Sequence, residues 1–156
     1  IMNSKNLPPP FNKTQLSKFT KLKVTIILPY FNEELGLELM KNTKEELLKN
    51  KVKKENIRIT RVAGALETPF AALKNSKNSD VIIVLGIVIR GETSHYELVT
   101  ETTFQGLMQT QLQTGIPIIF GILACENIEQ ALARVSKKGL NKGKESAVAA
   151  LIQGTL

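Results

Sequence analysis

Apolar and polar positions change their spacing several times along this chain. The first 20 residues are polar and hold three consecutive prolines, Pro8 to Pro10. Proline fixes φ and donates no ladder hydrogen bond, so residues 1–20 read as an N-terminal arm, with one domain over 21–156. "KVTIILP" (23–29) is a short β-branched run closed by proline and predicts a buried strand. From 33 to 49, Leu35, Leu39, Met40, Thr43 and Leu47 recur at helical spacing. "NIRITRVAG" (56–64) alternates with period two, and 68–77 is short and helical in composition. "DVIIVLGIVI" (80–89) is the most apolar strand. Val99, Thr103, Leu107, Met108 and Leu112 mark an amphipathic helix over 95–113. "GIPIIFGIL" (115–123) reads as turn then strand; a helix on Ile128, Ala131, Leu132 and Val135 follows, and a last one over 144–153.

Strands that alternate with helices imply βαβ units and a parallel sheet covered on both faces. With right-handed crossovers the expected architecture is an α/β three-layer αβα sandwich. Four strands favour a four-stranded parallel flavodoxin-like sheet over a six-stranded dinucleotide fold. No internal repeat interrupts the pattern.

Composition narrows the classes. The 156 residues are enough to bury one real core. Only 5% are aromatic and none is Trp, which disfavours a stacking platform for single strands. The formal charge is +7, yet the lysines gather in "LLKNKVKKEN" (47–56) and "SKKGLNKGK" (136–144), as a solvated surface would carry them. No nucleic-acid motif accompanies them, so no nucleic-acid partner is expected. A single cysteine, Cys125, allows no internal disulfide framework and fits a reducing, cytoplasmic setting. No apolar run approaches a membrane span, and the opening lacks a signal-peptide pattern.

In an open α/β sheet, ligands bind beyond the carboxyl ends of the strands. Those ends are "PYFNEE" (29–34), "AGALETP" (63–69), "RGETSH" (90–95) and "LACEN" (123–127). "RGETSH" sets a glycine at a strand–helix junction, with Thr93 and Ser94 as candidate N-caps. Free amides and the dipole of a helix start suit an anion, although a plain capped helix would use the same residues. Neither G-x-x-x-x-G-K-[ST] nor G-x-G-x-x-G occurs, so a nucleotide triphosphate or dinucleotide is not supported. His95 is the only histidine, and histidine is the side chain whose ordinary pKa lies nearest neutrality, so it is a candidate acid–base. One histidine and one distant cysteine do not make a metal site. Phe31 could stack on a planar ring or close the core; Glu67 could accept from a polyol or favour a helix start. No activating base flanks Cys125, and no G-x-S-x-G elbow occurs. The residues by themselves support an α/β domain for a small anionic ligand.

Five stretches in this order resemble the lumazine synthase family: "FN" at 31–32, "GALETPFA" at 64–71, "DVIIVLGIVIRGETSHYELV" at 80–99, "GIPIIFGIL" at 115–123 and "ENIEQALAR" at 126–134. The similarity runs from about 23 to 153. It implies condensation of 5-amino-6-ribitylaminouracil with 3,4-dihydroxy-2-butanone 4-phosphate, giving 6,7-dimethyl-8-ribityllumazine and phosphate without metal or organic cofactor. By resemblance, Phe31 stacks on the pyrimidine, Ala65, Leu66 and Glu67 hold the ribityl chain, and Val88 and Ile89 read the pyrimidine edge. Gly91, Glu92 and Thr93 match the phosphate loop, Arg134 the arginine that pairs with the phosphate, and His95 the proton-transfer residue. Phe120 matches an aromatic supplied by a neighbouring subunit, and Lys142 a lysine near the substrate.

The sequence departs from the family at Ala63, where proline is common, at Ala124-Cys125, where Thr-Thr is frequent, and at Ala133, where an acidic residue is frequent. The family forms homo-oligomers, either pentamers or shells of sixty. "LPPPF" (7–11) would spoil an added N-terminal strand and favours the pentamer, although the short "SKKGLNKG" turn (136–143) has the form seen in shell formers. Two other readings share the fold: an archaeal-type riboflavin synthase, and a binding or shell protein without catalysis. "GALETPFA" and "RGETSHYE" disfavour the first; His95, Arg134 and Phe31 together disfavour the second.

Overall fold

The structure, a computed structural model, describes residues 7–156. Four strands, β1 (Val24–Pro29), β2 (Ile57–Val62), β3 (Val81–Ile89) and β4 (Ile118–Cys125), form one parallel sheet in the order β2-β1-β3-β4. Six α-helices accompany them: α1 (Lys13–Phe19), α2 (Glu33–Lys49), α3 (Thr68–Asn75), α4 (His95–Thr114), α5 (Ile128–Val135) and α6 (Lys142–Gln153). Helices cover both faces of the sheet, which is a three-layer flavodoxin-like α/β fold.

The two-residue period of each inner strand divides its side chains between two cores. Val24, Ile26 and Leu28 of β1, with Ile83, Leu85 and Ile87 of β3, pack against Leu39 and Leu47 of α2 and Ala147 and Leu151 of α6. Ile27, Ile82, Val84 and Ile122 face the other way, onto Ala71, Ala72 and Leu107 of α3 and α4. Burial on both faces explains why β1 and β3 read as continuous apolar runs rather than alternating ones. The edge strand β2 has no fully buried residue, and there the alternation stays visible in the sequence.

Several boundaries move. β4 runs on to Cys125, two residues past the expected end, because Val88 and Ile89 pair with Ala124 and Cys125. α6 starts at Lys142 rather than 144, since Asn141 takes a left-handed conformation (φ 45°) and its side chain accepts from the Lys144 N–H.

Of the stretch expected as an arm over 1–20, residues 1–6 lie outside the described residues. Its last third is the helix α1, which packs on the domain. Asn12 and Gln15 form a reciprocal capping box, with both bonds at 2.9 Å. Phe19 enters the larger core, and Phe11 meets it edge-to-face at 4.9 Å between ring centroids. The prolines forbid a core strand, but they end before the capping box begins.

Candidate active site

The strand order reverses between β1 and β3, which is where an open α/β sheet leaves a crevice for a ligand. A pocket of about 370 Å³ opens there, at the carboxyl ends of β1, β2 and β3. It is lined by Phe31, by Ala65, Leu66 and Glu67, by Val88 and Ile89, and by Gly91, Thr93 and His95. Nine of the thirteen residues singled out in the sequence therefore share one cavity.

Register explains the crevice. β1 pairs with β3 only as far as Ile27 and Val84, whereas β3 continues to Ile89. Beyond Val84 the β1-facing side of β3 has no strand partner among the described residues. Main-chain groups alternate between the two sides of a strand. The Ile87 carbonyl accepts from Asn32 Nδ2 on the open side at 2.9 Å, and the Arg90 N–H donates to the Cys125 carbonyl on the β4 side at 2.9 Å. By that alternation Ile89 turns its peptide groups toward the crevice and Val88 turns its own toward β4. A planar edge with donors and acceptors can pair with such an unfinished ladder.

Phe31 stands at the mouth of the pocket, 72% exposed. Its loop is held on both sides. Asn32 adopts the left-handed conformation (φ 55°), a region asparagine tolerates well, and ties the loop to β3. Arg61 of β2 donates through Nε to the Leu28 carbonyl at 3.0 Å, pairs with Glu33 at 3.2 Å and lies 4.1 Å from the Tyr30 ring centroid. Across the pocket, Ala65–Glu67 form one 3₁₀ turn, closed by the Thr68 hydroxyl donating to the Ala65 carbonyl at 2.6 Å. Glu67 is exposed, as a carboxylate that accepts from a ligand would need to be.

The "RGETSH" stretch crosses from β3 to α4. Ser94 is the N-cap residue, but its side chain makes no capping bond; the Thr93 hydroxyl accepts weakly from the His95 N–H at 3.3 Å. The first amides of α4 are thus left for solvent or for an anion. A Cβ added to Gly91 would meet nothing within 4 Å, so packing within the chain does not require glycine there. Arg90 turns away from the pocket toward Glu97 and Glu126, whose carboxylates raise its pKa; Arg90 in turn holds the Glu97 carboxyl below the usual range.

Four singled-out residues do not line this pocket. Glu92 lies in the same loop and is exposed. Phe120 sits on β4, stacked on Phe104 at 5.8 Å, in a separate groove of about 470 Å³. Arg134 is on α5, with Nη1 donating to the Gln130 carbonyl at 3.1 Å. Lys142 opens α6 and pairs with Glu145 at 2.7 Å. Glu145 is only 1% exposed, and that lysine is its one ionic partner among the described residues.

Tyr96, Val99 and Ala63 also line the pocket and were not singled out as binding residues. Tyr96 follows His95 directly, so its place at a helix start was the available signal; burial pushes its phenol pKa up. Ala63, a departure from the family's proline, faces the cavity after all. Cys125 is buried, and burial pushes its thiol pKa up, away from an activated thiolate. Among the described residues no group of three or more His, Cys, Asp or Glu side chains could hold a metal, and no helix is long and apolar enough to cross a membrane.

Fold and pocket define an open-sheet α/β protein with a small-molecule site at the point where the strand order reverses. The family model described as 6,7-dimethyl-8-ribityllumazine synthase matches residues 21–155 of the 156. The chain belongs to the lumazine synthase family, the transferases that form lumazine in riboflavin biosynthesis.

Proposed function

We propose that this chain condenses 5-amino-6-ribitylaminouracil with 3,4-dihydroxy-2-butanone 4-phosphate to give 6,7-dimethyl-8-ribityllumazine, phosphate and two waters. The observation that carries the reading is the convergence of Phe31, Ala65–Glu67, Ile89 and the 91–95 loop on one crevice. Phe31 offers an exposed ring to the pyrimidine, and the unfinished β3 ladder offers donors and acceptors to its edge. Glu67 takes the ribityl hydroxyls. Gly91, Glu92, Thr93 and the uncapped start of α4 receive the phosphate.

His95, at the head of α4, moves protons for the ketone. The amine adds to the carbonyl and water leaves as the imine forms. Phosphate then departs, and ring closure releases the second water. Holding the two substrates side by side supplies much of the rate, and proton transfer adds to it. No metal or organic cofactor takes part in this scheme.

Phe120, Arg134 and Lys142 lie outside the pocket of their own chain, which supports a homo-oligomer in which a neighbouring copy contributes them. The exposed apolar residues Leu98, Met108 and Leu112 along α4 suit a subunit contact. We read the assembly as a pentamer. A guanidinium such as Arg134 suits a phosphate because its planar fork makes paired hydrogen bonds.

The test is product formation, followed by absorbance against the uncatalysed background. An enzyme-dependent rate supports the reaction, and its absence with pyrimidine still bound refutes it. His95→Ala should lower kcat by about a hundredfold, the low end for acid–base help, without abolishing turnover. An unchanged rate removes His95 from the mechanism.

A further inference from the structure

Arg90 directly follows the most apolar strand, at the ligand end of the sheet, and yet it does not line the pocket. Its guanidinium joins three pieces of chain. Nε donates to Glu126 Oε2 at 2.7 Å, at the turn into α5. Nη1 donates to Glu97 Oε1, in the first turn of α4. The guanidinium carbon, Cζ, lies over the Tyr96 ring, 4.3 Å from its centroid. The anchor is itself fixed: the Glu126 N–H donates to Gln130 Oε1 at 2.8 Å, and the Gln130 N–H donates to the Asn127 cap at 2.9 Å.

The stretch 91–95 lies between Arg90 and its partners Tyr96 and Glu97. All five of its residues are exposed, and the weak Thr93–His95 contact is the internal bond described for it. One side chain therefore pins both ends of an otherwise loosely held loop. Two carboxylates balance its charge, which leaves Arg90 poorly suited to bind an anion itself.

We propose that Arg90 is a positioning residue for phosphate recognition: held by Glu97 and Glu126 and set over the Tyr96 ring, it fixes the 91–95 loop in the conformation that receives the phosphate of the ketone substrate. The inference rests on the reaction proposed above. A lysine cannot reproduce it, because a single ammonium nitrogen lacks the spread donors that bond Glu126 through Nε and Glu97 through Nη1.

The experiment compares wild type, Arg90→Gln, Arg90→Lys and Glu126→Gln for kcat, for the KM of each substrate and for inhibition by inorganic phosphate. Arg90→Gln should raise the KM for butanone phosphate and the inhibition constant of phosphate about tenfold, and leave the KM for the pyrimidine within about twofold. Arg90→Lys should fall between Gln and wild type. Glu126→Gln should shift the same constants in the same direction by less, and it decides the matter if Arg90→Gln does not fold. Equal increases in both KM values, or lower thermal stability with unchanged KM values, overturn the proposal. Tighter phosphate binding in Glu126→Gln also overturns it, since a released Arg90 would then be binding the anion directly. If wild type shows no turnover, the reaction is wrong; calorimetry with inorganic phosphate on the same variants still reads the loop.

Discussion

Phe31 offers the sharpest separation of binding from folding. Its side chain is 72% exposed, so truncation to Ala leaves no core cavity. An aromatic side chain carries about 200 Å² of surface, of which about 140 Å² is then open here. A stacked pyrimidine covers one face, about 70 Å². At about 25 cal/mol per Å² this is roughly 2 kcal/mol, or about a thirtyfold loss of affinity. Folding should barely change, within about 0.5 kcal/mol. Calorimetric titration with the pyrimidine substrate reads the first quantity and thermal unfolding the second. Phe31→Tyr keeps a ring of the same shape and should retain most of the affinity. A drop of several degrees in Tm with unchanged affinity would refute the reasoning, because Phe31 would then close the core rather than face a ligand.

Arg134→Ala should raise the KM for butanone phosphate tenfold or more, as loss of a charge-assisted pair does, and spare the pyrimidine; equal effects on both would sink its assignment. If Arg134 serves a neighbouring copy, co-assembly of the impaired His95→Ala and Arg134→Ala chains should give unmutated composition at about a quarter of the sites and a rate above that of either variant alone; no such gain would place both residues in one chain's site. Gly121→Ala would set a Cβ 2.6 Å from Leu85 Cδ2, 2.9 Å from the Val84 carbonyl oxygen and 3.0 Å from Ser146 Oγ, so overpacking of about 1–3 kcal/mol should lower Tm by roughly 3 to 10 °C. An unchanged Tm would mean that β4 is not held closely between β3 and α6. The Lys137 ammonium bonds to Glu45 at 2.8 Å and holds its carboxyl below the usual range. That pair contributes above the usual carboxylate range and is lost as the pH falls through the lowered value. The gap between wild type and Glu45→Gln in urea midpoint should therefore be small near neutrality and close in acid; a gap that widens in acid would contradict the pairing.

The legibility of the site differs from residue to residue. Phe31, Glu67 and His95 could be placed because each follows a strand whose end was readable from its own apolar run. Tyr96 and Ala63 could not, because nothing local distinguishes a residue that lines a cavity from one that faces solvent. Arg90 was visible as the arginine directly after a strand. Its partners Glu97 and Glu126 belong to different elements, and no spacing brings Glu126, 36 residues away, into view. The helix α1 had a signal in Asn12 and Gln15, which the neighbouring prolines obscured.

The sequence by itself determined the order of elements, their approximate ends and the two faces of the sheet. These follow from periods of two and 3.6 residues, and such periods are local properties of strand and helix geometry. The resemblance to the family, which its model matches over residues 21–155, added the reaction to be tested. Only the tertiary structure decided that β1 stops pairing at Val84 and leaves part of β3 unfinished, and that the 91–95 loop is clamped from outside the pocket by Arg90. It also decided that Phe120, Arg134 and Lys142 stand apart from His95. Register and side-chain partnership join positions far apart in the chain, and no local period encodes them.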